Sequence, residues 1–129
     1  MNKAAIQGGL EVAAKMVDER TLGLMQAGAN SEEFGARLGQ MALEFAFNDV
    51  WKRPGMAARD RSLVTLGILI GLRQTDELKI HVAAALRNGV TVQEIEETIL
   101  QSTIYAGFPA ATAAYRVAIN VLREAGHLK

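Results

Sequence analysis

Cysteine is absent from the 129-residue chain. Disulfide scaffolds, zinc ribbons, thiol peroxidases and cysteine nucleophiles all need a thiol and fall together. Proline is nearly absent too, at Pro54 and Pro109 only, and aromatic residues make up 5% of the chain. An excess of either charge is also missing, because 14 basic residues balance 14 acidic ones. A nucleic-acid binder usually carries a strong basic excess, so no nucleic-acid partner is expected. Long hydrophobic runs are lacking as well. The longest, Leu63 to Leu72, contains Thr65 and is far too short to cross a bilayer. The first nine residues hold no apolar segment of a secretory signal. The expectation is a cytoplasmic protein with no membrane partner, forming one domain over residues 1–129 with its core at about 33–124.

Half of the residues are hydrophobic, alanine is abundant, and no stretch alternates apolar and polar residues as a half-buried strand would. An all-α domain of about six helices is predicted. The first runs from about Leu10 to Gln26, with Gly28 as its stop. Asn30 and Glu33 have capping-box spacing and open a second helix carrying Phe34, Leu38, Met41, Phe45 and Val50, which ends at Pro54-Gly55. A third, at about Arg59 to Leu72, is apolar on nearly every side and reads as central. Gly67 and Gly71 leave a bare strip on it, read as close helix packing. Thr75 is the expected cap of the fourth helix, and Thr91 with Glu94 of the fifth. The last runs from about Ala110 to Glu124. Ala-rich final helices and a nearly all-apolar helix in so small a chain predict a symmetric homo-oligomer.

Chemistry has few places to reside. His127, near the C-terminus, is given no role. His81 lies within the fourth helix, and Glu77 is one turn before it, about 40° away on the helical wheel. Both flank the stripe of Leu78, Val82, Ala85 and Leu86. A carboxylate so placed can hydrogen-bond the imidazole, orient it and raise its basicity, which is what a general acid/base requires. An ordinary surface pair or a core-edge histidine has the same spacing. Lys52, Arg53, Arg59 and Arg61 form a basic cluster that could clamp a carboxylate or simply be a solvated loop. Trp51 anchors this loop or stacks on a ligand, and Tyr105 could donate a hydrogen bond. Glu94, Glu96 and Glu97 read as a solvated helix start. With one useful histidine, no metal site is expected. Phosphate loops, serine elbows and dinucleotide fingerprints are missing.

Taken in order, Asp49 to Met56 (DVWKRPGM), Arg59 to Leu63 (RDRSL), Glu77 to His81 (ELKIH), Arg87 to Thr91 (RNGVT) and Tyr105 to Ala110 (YAGFPA) resemble the carboxymuconolactone decarboxylase family. The resemblance implies the all-α fold shared with alkyl hydroperoxide reductase D-type proteins, and a ring-shaped homo-oligomer, a trimer or hexamer. The peroxidase branch carries two cysteines at the positions of Gln74 and Glu77 and a glutamate near Ser62. All three are replaced here, and thiol peroxidase chemistry is excluded. The decarboxylase branch implies a cofactor-free lyase of aromatic-compound catabolism that converts a small carboxylated lactone, such as 4-carboxymuconolactone, to 3-oxoadipate enol-lactone. On that reading His81 delivers the proton and Glu77 orients it. Arg53 and Arg61 hold the substrate carboxylates, with Trp51 and Tyr105 beside them. Phe47 and Asn48 stand where decarboxylases of that pathway tend to carry a tryptophan and a glycine, which bears on the substrate more than on the fold. A non-catalytic binding protein of the same fold, or a lactone isomerase or hydrolase, are the alternatives.

Overall fold

A computed structural model describes residues 1–129, and every regular element in it is helical. Two compact units divide the chain, Met1–Ala58 and Arg59–Lys129.

The N-terminal unit holds α1 (Lys3–Ala13), α2 (Glu19–Ala29), α3 (Ala36–Met41) and a π-helix (Ala42–Trp51). The single first helix expected over Leu10 to Gln26 is therefore two. Asp18 divides them: its backbone is extended, and its carboxylate accepts from the Thr21 amide at 2.7 Å, capping a new helix. The expected cap at Asn30 is also replaced. Ser31 Oγ accepts from the Glu33 amide instead, and α3 begins only after Gly35, which adopts φ 88°. Gln40 sets the orientation of α3. Its amide is buried and donates to the carbonyls of Gly28, Ala29 and Ser31, closing the end of α2. With Gln40 facing inward, the predicted stripe of Phe34, Leu38, Met41, Phe45 and Val50 is exposed, and Leu43 takes the buried position. The wider winding of the π-helix also shifts the angular phase of Phe45 and Val50. Ile6, Ala13, Ala29 and Leu43 form the small core of this unit.

The C-terminal unit comprises α4 (Ala58–Gly71, whose first residue precedes the boundary), α5 (Thr75–Arg87), α6 (Val92–Ala106) and α7 (Phe108–Glu124). These match the sequence expectation within about two residues. Thr91 and Glu94 make the reciprocal capping box. Thr75, in contrast, is the first helical residue and not the cap: Gln74 precedes the helix without a side-chain bond. Pro109 lies in the first turn of α7, where its missing N–H is harmless. Leu66 and Ile70 of α4 meet Leu78 and Val82 of α5, Ile95 of α6, and Ala114 and Ala118 of α7 in one buried cluster. Small alanines allow α7 to lie against both α5 and α6. No helix is long and apolar enough to cross a membrane.

Candidate active site

Helix α5 places the one internal histidine. Leu78, Val82, Ala84 and Ala85 bury its inner face, so His81, one position from Val82, is drawn to the edge of the packed cluster. Its side chain is 17% exposed, against 56% for Glu77. Nε2 stands 3.9 Å from Glu77 Oε2, an electrostatic distance beyond a direct hydrogen bond. The expected hydrogen bond between them is thus not formed in this arrangement. Burial pushes the imidazole pKa below its ordinary 6.5, and the Glu77 charge opposes this without overcoming it. The net direction is the reverse of the raised basicity inferred from spacing alone. A ring of this kind is neutral at pH 7 and, once protonated, is a stronger acid than a solvated histidine.

The basic cluster separates into distinct roles. Lys52 donates to Asn48 Oδ1 at 2.9 Å. Arg59 pairs with Asp60 at 2.7 Å and with Glu94, tying the start of α4 to the start of α6. The Arg59 contact, assisted by the Thr91 amide, holds the Glu94 carboxyl down at about 2. Glu94 is therefore a clamp as well as a cap, a role that its place in an acidic triplet did not suggest. Arg61 sits partly buried in the first turns of α4, while Arg53 is exposed just after the π-helix in the N-terminal unit. Trp51 closes that π-helix, half-buried. Tyr105 is 83% exposed and lines a groove of about 640 Å³ between α4 and α6, with Leu63, Gly67, Gly71 and Gln101. Neither His81 nor Glu77 belongs to that lining. Of the six residues singled out from the sequence, the structure brings Glu77 and His81 together on one helix.

Sequence reasoning missed the polar contact that ties α5 to α4. Ser62 is 1% exposed, and its hydroxyl accepts from Asn88 Nδ2 at 3.0 Å. A serine preceding a long apolar run was the available signal, since a buried hydroxyl needs a partner.

The chain matches the model of the carboxymuconolactone decarboxylase family over residues 36–120. It is 37% identical over 118 residues to 4-carboxymuconolactone decarboxylase of Acinetobacter baylyi, a match covering 92% of this chain and 87% of that protein. It is 39% identical over 93 residues to a nitrosuccinic acid decarboxylase of Metarhizium robertsii, covering 70% of this chain and 65% of that protein. An uncharacterized 15.0 kDa protein of Paracoccus denitrificans is 36% identical over 84 residues, covering 64% and 63%.

Proposed function

The chain belongs to the carboxymuconolactone decarboxylase family and is a carboxy-lyase, and we propose that it decarboxylates a small carboxylated lactone, such as 4-carboxymuconolactone, with His81 as the proton donor. The observation that carries this reading is the half-sequestered imidazole of α5 with a carboxylate 3.9 Å away, in a chain similar along most of its length to an enzyme of that name. The chemistry suits such a site. When the carbon–carboxylate bond breaks, its electron pair passes through the unsaturated lactone to the ring carbonyl, so the substrate supplies its own electron sink. Carbon dioxide departs, and the resulting enolate takes one proton at carbon, giving 3-oxoadipate enol-lactone. The imidazolium of His81 gives that proton and is recharged from solvent. Arg61, in the same unit as His81, is the cation assigned to a substrate carboxylate.

The pKa shift has a definite place in this scheme. A depressed pKa makes the imidazolium a better donor to carbon, while Glu77 and an arriving dianion favour its protonated form. Activity is tested by adding purified protein to authentic 4-carboxymuconolactone and following carbon dioxide release and product mass. Turnover that loses the mass of carbon dioxide is expected, and His81→Ala lowers kcat by about 10²–10⁴-fold, the usual worth of a positioned acid. In the active enzyme, kcat/KM falls as pH rises through a pKa below 6.5, and Glu77→Gln moves that limb lower still. Full turnover by His81→Ala overturns the assignment of the donor. A product of unchanged mass overturns decarboxylation in favour of isomerisation.

A further inference from the structure

Beyond α7 the chain turns back on itself. Gly126 adopts φ 82°, its amide donates to the Arg123 carbonyl, and the next amide, of His127, donates to the Leu122 carbonyl. This pair of bonds ends the helix and reverses the chain beside its last turn. Arg123 fastens the returning segment, its Nε donating to the Lys129 carbonyl at 3.1 Å. Between the turn and that bond, Leu128 is set into the wall of a groove of about 480 Å³ between α6 and α7. Part of the groove is core: Ile95, Ala118 and Leu122 are each no more than 6% exposed, yet all three line it. Ile99 and Ile119 line it too, and His81 and Glu77 have no part in it.

We propose that this groove is a second binding site, taking a small ligand with an apolar body and one anionic oxygen group, and that residues 127–129 are its lid. The lid itself indicates the ligand. It offers the groove one aliphatic side chain, Leu128, and one residue later an oxygen acceptor for Arg123. A molecule with an apolar body and a carboxylate or sulfonate reproduces both contacts, and an ionised acceptor binds a guanidinium more strongly than a neutral carbonyl does. Glu96 is the one acid of the lining, against Arg123 and Lys129, so the rim favours an anion. Apolar walls with a few polar groups are the usual make-up of a small-molecule site. The lid is easily displaced, because one exposed hydrogen bond is weak in water and Leu128 stays 38% exposed when closed. Lifting it uncovers the apolar floor and releases the Arg123 donor together. The inference is independent of the reaction assigned to His81.

Fluorescence titration of the full chain with anilinonaphthalene sulfonate tests the site, beside phenylnaphthylamine, which has the same rings and no charge. Gly126→Val disfavours the left-handed turn, and Leu128→Ser removes the apolar part of the lid. Each raises the affinity for both probes by about threefold or more, since a ligand that needs the open state gains as that state becomes populated. Leu128→Ser keeps the backbone turn, so the lid is tested even where Gly126→Val frays α7. Arg123→Met unlatches the lid but also removes the partner of the anion, and the two probes then part. The neutral one binds more tightly than to the wild-type protein, and the sulfonate binds about tenfold more weakly than to Gly126→Val. Leu100→Glu, at an exposed position of the groove wall, weakens the sulfonate without touching the lid. Unchanged affinity in both lid variants overturns the lid. A sulfonate indifferent to both Arg123→Met and Leu100→Glu is bound elsewhere and overturns the site, as does the failure of every variant to bind either probe.

Discussion

In the N-terminal unit, Gly9 sits where α1 lies so close to the π-helix that a Cβ would fall 2.1 Å from the Leu43 carbonyl oxygen; in the C-terminal unit, Gly67 and Gly71 face open space. All three are glycines inside helices. Gly9 is required by its own chain, because backbone meets backbone there and neither can yield. The other two are dispensable to the fold of one copy. The cores differ in the same sense. Ile6, Ala13, Ala29 and Leu43 are a modest apolar set, supplemented by the Gln40 amide on three carbonyls and by a two-bond Arg37–Glu44 pair. The C-terminal unit relies on a larger apolar cluster spanning four helices. Close approach and polar closure carry one unit, and side-chain burial carries the other.

The contrast can be broken most forcefully in the apolar cluster. Leu66→Ala removes a fully buried side chain from the centre of α4 and is expected to cost about 3 kcal/mol, read as a lower urea midpoint. Gly9→Ala comes next, at about 2 kcal/mol, because the added methyl must push α1 off Leu43. If Gly9→Ala proves harmless, close approach is not what organises the N-terminal unit. The sign then reverses. Gly67→Ala, measured at a concentration low enough to separate any assembled copies, stabilises the fold by up to about 1 kcal/mol through helix propensity alone. Opposite signs at Gly9 and Gly67 are the sharpest statement of the difference between the units.

The sequence made α4 to α7 legible because their boundaries are written locally. Thr91 with Glu94, Asn88-Gly89 and Gly107 with Pro109 act within a turn of themselves. The N-terminal unit was less legible because its boundaries depend on distant partners. Gln40 reaches back to carbonyls 9–12 residues earlier, and no periodicity in residues 34–50 announces a π-helix. The candidate site divides likewise. Glu77 and His81 were readable from one-turn spacing, but the direction of the pKa shift was not, since it depends on how deeply neighbouring helices bury the ring. The Arg59–Glu94 clamp was hidden for the same reason, its partners being 35 residues apart.

That clamp gives the smallest expected effect and the most selective one. Glu94 has two tasks, capping α6 through the Thr91 amide and pairing with Arg59. Glutamine can still reach back to the cap amide, so Glu94→Gln chiefly removes the charge that faces Arg59. The folded-state pKa of Glu94, about 2, lies below its ordinary 4.5, so the folded protein holds this proton more weakly than the unfolded chain does. The stabilisation is therefore complete above pH 4.5 and is lost as pH falls from 4.5 toward 2. The wild-type protein should melt above Glu94→Gln at pH 7, and the two melting temperatures should converge across that acid window. Both partners are partly solvated and salt screens them, so the gap at pH 7 should also narrow in high salt. A gap that persists unchanged at pH 2 would mean that Glu94 acts through the cap and not through Arg59, leaving the apolar cluster as the tie between α4 and α6.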